Sequence, residues 1–264
     1  KYLKLLIKEG KVEKKTQQYL RKDRDVPFNL LTRIKEEFSV SLTPRKVCSF
    51  HGKKITLPQK VTPEFSEFLA YVMADGNLKR SGYSIRFYNA SPEVLDRFCK
   101  LAQDLFGMAP RVYPHPRGGK AFIAQIDCKA VFELLRGLGI PYIQKARNAH
   151  IPECVLKSSD ECIASFLWKY IVCDGSIDKK GSRVEITSAS RKLIEELSLC
   201  LPRLGIISSI GKRKADGTFR LWINSSQQLE NLLNRVKIKG EKKELLAQAI
   251  KRIKGRWSSI DAFP

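Results

Sequence analysis

Phe68-Leu69-Ala70-Tyr71-Val72-Met73-Ala74-Asp75-Gly76 decides the fold, because it returns as Phe166-Leu167-Trp168-Lys169-Tyr170-Ile171-Val172-Cys173-Asp174-Gly175. Each copy is an apolar run ending in Asp-Gly. The first follows Thr62-Pro63-Glu64 and the second Ser158-Ser159-Asp160-Glu161. Both therefore read as helices with a hydroxyl cap and an acidic first turn, stopped by a glycine suited to the left-handed C′ position. The Asp then falls in the last turn, where the helix dipole is negative and disfavours a carboxylate by about 0.3 kcal/mol or more. The same unfavourable choice, made twice, asks for a cation at each helix end.

From each Asp onward the two halves can be laid on one another at a constant offset. Asp75 leads to Tyr83-Ser84-Ile85-Arg86-Phe87-Tyr88-Asn89-Ala90-Ser91, and Asp174 leads to Ser182-Arg183-Val184-Glu185-Ile186-Thr187-Ser188-Ala189-Ser190. Ile85 and Phe87 match Val184 and Ile186, so each segment is expected to be a half-buried strand. Ser91 and Ser190 are then expected to cap helices over 92–106 and 191–204, closed near Gly107 and Gly205. A second strand pair follows in each half, over 109–113 with 121–127 and over 206–212 with 218–224, and shorter helices follow over 129–138 and 227–236. The first strand of each sheet is expected in the variable loop, 77–82 or 176–181. The fold class is α+β: two pseudo-symmetric αββαββα repeats, over 61–157 and 158–264. A basic extension over 1–60 precedes them, with a helix over 28–38 and short strands around His51-Gly52.

Composition narrows the partners. The chain of 264 residues is 43% apolar, enough for a sizeable core. Lys and Arg number 49 against 27 Asp and Glu, and the resulting charge of +22 is spread along the whole length, which implies a polyanionic partner, most often nucleic acid. No apolar run approaches the roughly 20 residues of a membrane span, and lysines interrupt the start, Lys1-Tyr2-Leu3-Lys4, too soon for a signal peptide. An intracellular protein of the cytoplasm or nucleoid, with no membrane partner, is expected. Seven cysteines without a C-x-x-C, and the histidines His51, His115 and His150 without ligand spacing, argue against a zinc site or a disulfide framework.

The duplicated motif and the repeat around it, about 62–250, resemble the LAGLIDADG (dodecapeptide, DOD-type) homing endonucleases, in the single-chain two-motif form, intron- or intein-encoded and archaeal. The resemblance implies a saddle of two antiparallel sheets. It also implies motif helices packed at a pseudo-two-fold axis, and divalent metal, Mg²⁺ with Mn²⁺ as an alternative, held by Asp75 and Asp174 with Gly76 and Gly175 beside them. Ala70 and Ala74 fit a close helix crossing, whereas Lys169 and Cys173 stand at the matching positions of the second copy. The family's lysine near each metal falls on Lys239 in Val236-Lys237-Ile238-Lys239-Gly240 and on Lys145 in Ile140-Pro141-Tyr142-Ile143-Gln144-Lys145. Positions where some members carry water-ordering polar residues fall on Ala90 and Ala189.

Phosphodiester hydrolysis needs an activated water, neutralisation of the transition state and stabilisation of the leaving oxygen, and hard cations on carboxylates supply all three. One Asp per repeat implies one cut per strand. Opposite the buried strand residues stand Ser84, Arg86 and Tyr88 in one half and Arg183, Glu185 and Thr187 in the other. The second hairpins add Arg111, Tyr113 and Gln125, and Lys212, Arg220, Trp222 and Asn224. These side chains suit base edges in a major groove, and their difference between halves predicts an asymmetric target. The expected protein is thus a monomeric endonuclease on double-stranded DNA. The alternative is a non-cutting DNA-binding regulator or a maturase on structured RNA. Lys1 at the start and Ala262-Phe263-Pro264 at the close stand in place of a splicing nucleophile and a His-Asn pair, so a free-standing enzyme or an excised endonuclease portion is expected.

Overall fold

The computed structural model describes residues 46–48, 54–177, 183–236 and 241–254, together with Lys8. The chain divides into two units, Lys1–Gln59 and Lys60–Pro264. In the first, β1 (Lys46–Cys48) and β2 (Lys54–Thr56) pair antiparallel with Val47 opposite Ile55. The helix expected over 28–38 and the turn at His51-Gly52 lie outside the described residues.

The second unit opens with α1 (Pro63–Asp75), whose Thr62 hydroxyl accepts from the Phe65 amide at 3.2 Å, with Pro63 at the first helical position. Its counterpart α6 (Asp160–Asp174) is capped by Ser159 over the Cys162 amide at 3.5 Å, with Asp160 and Glu161 in the first turn. Between and after them run β3 (Gly76–Lys79), β4 (Ser84–Asn89), α2 (Pro92–Phe106), β5 (Arg111–Pro114), β6 (Phe122–Asp127), α3 (Lys129–Gly137), α4 (Lys145–Asn148) and α5 (Glu153–Leu156). The second repeat continues with β7 (Gly175–Ile177), β8 (Val184–Ser188), α7 (Arg191–Cys200), β9 (Ser209–Lys212), β10 (Phe219–Ile223), α8 (Ser226–Arg235) and α9 (Glu241–Lys254).

Both sheets have four antiparallel strands in the same order, β3-β4-β6-β5 and β7-β8-β10-β9. The helix expected over 191–204 is α-helical only to Cys200 and closes as a 3₁₀ turn over Leu201–Leu204, because Pro202 has no amide hydrogen for the α ladder.

The glycines after the two motif helices act differently from the expectation. Gly76 has φ −90° and ψ 162°, and Gly175 has φ −83° and ψ 144°, so both are extended rather than left-handed. Each opens a strand directly from the helix, and the backbone folds back so closely that a Cβ at Gly76 would lie 2.3 Å from the Val72 carbonyl oxygen. At Gly175 it would lie 2.6 Å from that of Ile171. Space, not backbone angle, selects glycine here. The left-handed closures are at Gly107 (φ 70°) and Gly205 (φ 69°), as anticipated.

The cores of the repeats use different material. In the first, Phe68, Phe87, Phe98 and Phe106 are fully buried, with the Phe87 and Phe98 rings stacked at 4.5 Å and Phe68 and Phe98 at 5.1 Å. In the second, Val184, Ile186, Leu193, Leu197, Leu221, Leu229 and Leu232 fill the equivalent layer. Burial of this apolar surface, worth about 2 kcal/mol for each large side chain, covers one face of each sheet and leaves the other free.

α1 and α6 pack against each other. Lys169, where α1 has Ala70, places its nitrogen 2.9 Å from Oε1 of Glu67, a side chain only 8% exposed. Arg97 of α2 grips the same carboxylate twice, Nε to Oε1 at 2.9 Å and Nη2 to Oε2 at 2.6 Å. Burial alone would raise the Glu67 carboxyl, but the Arg97 hydrogen bond and the Lys169 charge outweigh it and hold it below its ordinary value. The bulky cation in the close crossing is thereby paired. Among the described residues no helix is long and apolar enough to cross a membrane.

Candidate active site and nucleic-acid interface

Asp75 and Asp174 end the paired helices, and each is held by a different neighbour. Asn89 Nδ2, at the end of β4, donates to Asp75 Oδ2 at 2.9 Å, and the Asn89 Oδ1 accepts from the Ser91 amide. Across the helix pair, the Cys173 thiol hydrogen-bonds Asp75. Burial, and then the Asp75 charge, pushes that thiol far above its ordinary range, so it stays protonated. Asp174 is bonded instead by the hydroxyl of Tyr170, one turn back on its own helix. Burial raises the Asp174 carboxyl and the Asp75 charge adds to this, against the opposing effects of Tyr170, Lys145 and Lys242.

A cation stands at each helix end. Lys145, the first residue of α4, donates from Nζ to the Ala74 carbonyl at 2.6 Å and the Gly76 carbonyl at 2.5 Å, with the Val72 carbonyl at 3.4 Å. Lys242 in α9 does the same for α6, reaching the carbonyls of Ile171 at 2.6 Å, Val172 at 2.7 Å and Gly175 at 2.7 Å. An ammonium has three hydrogens, and each meets the orphan carbonyls of a helix terminus where the dipole is negative. Burial pushes the Lys145 ammonium down, and the charges of Asp174 and Asp75 counter it.

Lys239, the lysine expected in the second half, lies outside the described residues, and Lys242 holds the place equivalent to Lys145. The offset that maps Ser91 onto Ser190 maps Lys145 onto Glu244, two positions beyond Lys242. The usable signal was the demand for a cation at the helix end together with the choice of lysines in Glu241-Lys242-Lys243.

Among the described residues no group of three or more His, Cys, Asp and Glu gathers as a metal cage. The donors at the helix ends are two carboxylates and the carbonyls of Gly76 and Gly175, the latter engaged by the lysines. Hard oxygens in so small a number fit Mg²⁺ or Mn²⁺, which keep water and take substrate phosphate oxygens as further ligands. Burial, and then the Asp75 charge, raise the Asp174 carboxyl, and a cation held there would offset both.

The free faces of the sheets carry most of the residues singled out for DNA. On the first, Asn77, Arg86, Gln125 and Arg111 form one cross-strand row, flanked by Tyr88, Ile123 and Tyr113. Ser84, expected at the surface, is 3% exposed beneath this layer opposite Asp127, so it presents no edge to a ligand. Gln125 is likewise buried, at 8%, with its amide engaged on both sides: Arg86 Nε and the Tyr113 hydroxyl donate to Oε1, and Nε2 donates to Asp127. On the second sheet Glu185 lies opposite Trp222 and Thr187 opposite Arg220, and Arg183 pairs with Glu185 at 3.1 Å. The Arg220 guanidinium stacks 4.9 Å from the Trp222 ring, and that ring covers Gly211 so closely that a Cβ there would meet it at 3.1 Å. Asn224 is exposed just beyond β10. Lys212 departs from the expectation. Its register opposite Phe219 puts it on the other side of β9, with Nζ 5.8 Å from the Phe219 ring, because Gly211 takes the position on the free face.

Residues 161–237 match the family model of the LAGLIDADG-like domain. The chain is 33% identical over 184 residues to a component of the A-type ATP synthase of Pyrococcus abyssi, covering 69% of this chain and 18% of that protein. It is 28% identical over 200 residues to the replication factor C small subunit of Thermococcus kodakarensis, covering 75% and 22%. The chain thus spans about a fifth of the length of these curated relatives. Among solved structures, the homing endonuclease I-DmoI in complex with DNA and Ca superposes with a TM-score of 0.53 at 14% identity, over 72% of this chain and 100% of that one. Full-length DUF199/WhiA from Thermatoga maritima superposes with a TM-score of 0.52 at 16% identity, over 75% of this chain and 63% of that one. The fold is the LAGLIDADG fold, with its two-domain arrangement of sheets and helices.

Proposed function

We propose that this chain is a site-specific homing endonuclease that hydrolyses one phosphodiester in each strand of a long, asymmetric DNA target, leaving a staggered double-strand break. The observation that carries this reading is the mirrored pair of helix ends, each with one carboxylate and one lysine ammonium set against the same terminal carbonyls. The protein acts as a monomer, since both halves of the centre come from one chain, and its partner is double-stranded DNA, as the charge of +22 favours.

Asp75 and Asp174 hold the divalent cation, Mg²⁺ or Mn²⁺, which when bound neutralises phosphate charge and lowers the pKa of the attacking water. Asn89 and Cys173 fix the Asp75 carboxylate, and Tyr170 fixes that of Asp174. Lys145 and Lys242 keep positive charge at the foot of each helix, where it offsets the helix dipole and favours an approaching phosphate. The two helix ends belong to opposite repeats, so one catalytic set serves each strand.

The matched segment recurs inside proteins about five times its length whose names share no activity, an ATP synthase component and a replication factor among them. This supports an element inserted into host genes, of intein or intron origin. The test is cleavage of a plasmid library of randomised long sites with Mg²⁺, comparing wild type with Asp75→Asn and Asp174→Asn. Sequence-specific double-strand cuts lost in either variant are expected. Tight binding with no cutting under any divalent metal would instead make this a regulator or an RNA maturase.

A further inference from the structure

On the free face of the first sheet, hydrogen bonds fix the arginines before any ligand arrives. Arg86 Nε donates to Gln125 Oε1 at 2.9 Å, and the Tyr113 hydroxyl holds the same oxygen from the other side. The amide nitrogen of Gln125 donates to Asp127 Oδ1 at 2.7 Å, and Asp127 Oδ2 accepts from Arg111 Nη2 at 2.5 Å. Gln125 is 8% exposed and can turn no edge outward. Arg86 and Arg111 stand on either side of it in the same cross-strand row, each anchored through one part of its guanidinium. Among the described residues nothing engages the terminal nitrogens of Arg86, and Arg86 borders an open hollow of about 440 Å³ shared with Asn77, Lys79 and Tyr88.

A guanidinium held at Nε keeps its two terminal nitrogens as a planar fork, the geometry that meets O6 and N7 of guanine together. Holding the fork in advance removes rotamer entropy that a free arginine loses on binding. The described residues of the second sheet have no such arrangement: Arg183 is paired with Glu185, and Arg220 lies on the Trp222 ring.

We infer that Arg86 reads a guanine in the half-site facing the first repeat, and that Gln125, itself held by Asp127, is a positioning residue that aims it rather than a reader itself. This rests on the reading of the chain as a DNA-binding protein and deepens it, and it does not require that the DNA be cut.

The test is selection of duplexes from a randomised library by the full chain in EDTA, followed by sequencing, for wild type, Arg86→Lys, Gln125→Met and Asp127→Asn. Wild type is expected to show a guanine preference at a position that Arg86→Lys flattens. Gln125→Met should weaken preference at that same position by about tenfold, the scale of one bidentate contact. Asp127→Asn, a partly exposed change that leaves the core intact, loosens the hold on the Gln125 amide and should weaken preference at the same position. The inference is overturned if Arg86→Lys changes no guanine position, or if both Gln125→Met and Asp127→Asn leave every position unchanged. Guanine preferences that persist in a chain unable to cleave would sink the endonuclease reading and leave this one standing. A chain that selects no duplex would overturn both.

Discussion

The two repeats agree in backbone and disagree in side chains. Strand order, extended glycine, hydroxyl caps at Ser91 and Ser190, and a lysine on the helix-end carbonyls are common to both. What differs is the side chains packed around this frame. Asp75 is held by an amide and Asp174 by a phenol. Ala70 is answered by Lys169, an aromatic core by an aliphatic one, and a hydrogen-bonded sheet face by a stacked one. Duplication thus fixed the frame, and the two copies then divided the contacts between them.

The strongest way to break the symmetry is at the lysines. Lys145→Met and Lys242→Met should each lower single-turnover cleavage by about a hundredfold or more, the scale of removing one preorganised charge donor, and equal losses would confirm that the halves work alike. Nicked product from only one variant would show that one helix end works harder than the other.

Next comes the ion cluster that exists in one half only. Glu67→Ala leaves Arg97 and Lys169 facing each other without their carboxylate and should cost about 3 kcal/mol in urea unfolding. Lys169→Ala should cost about 1 kcal/mol, since Arg97 still satisfies Glu67. The pH dependence has a definite sign. The folded Glu67 carboxyl lies below its unfolded value near 4.5, so its contribution is present above that pH and is lost as pH falls through the folded value. Stability of Glu67→Gln should accordingly fall less steeply with acid than that of wild type.

At the glycines the halves differ in degree. Gly76→Ala should destabilise by about 3 kcal/mol and Gly175→Ala by somewhat less, following the 2.3 Å and 2.6 Å approaches to carbonyl oxygens, as thermal melts would show. The smallest effect is stabilising. Asp174→Asn removes a carboxylate whose folded value is raised, a penalty absent below about pH 3.8 and full above the folded value. Its melting temperature in EDTA should exceed that of wild type at pH 7 by a few degrees and match it near pH 3.

Much of this was legible in the chain. The repeated Asp-Gly located both motif helices, alternation in 84–88 and 183–187 located the strands, and Ser91 and Ser190 capped where hydroxyls should. Those features are local, and local periodicity carries them. Lys242 was not singled out because the resemblance placed the second lysine at Lys239, in the segment before the last helix, which begins at Glu241. Lys169 read as a defect in the close crossing because its partner Glu67 sits on the other helix, and only packing brings them within 2.9 Å. Ser84 and Gln125 carried the right alternation for a surface, but cross-strand neighbours cover them. Lys212 was taken with Arg220 and Trp222 from the second hairpin, whereas register decides its side.

Asn89 closes the strand that carries Arg86 and Tyr88, and its amide is the group that grips Asp75. On the proposed reading, a base pair that fits badly against that strand would also act on the Asp75 carboxylate through this bond. Asp174 takes its hydrogen bond from Tyr170 on its own helix. On the proposed reading, the first repeat ties its recognition strand to its catalytic carboxylate through one bond, and the second carries its carboxylate on its own helix.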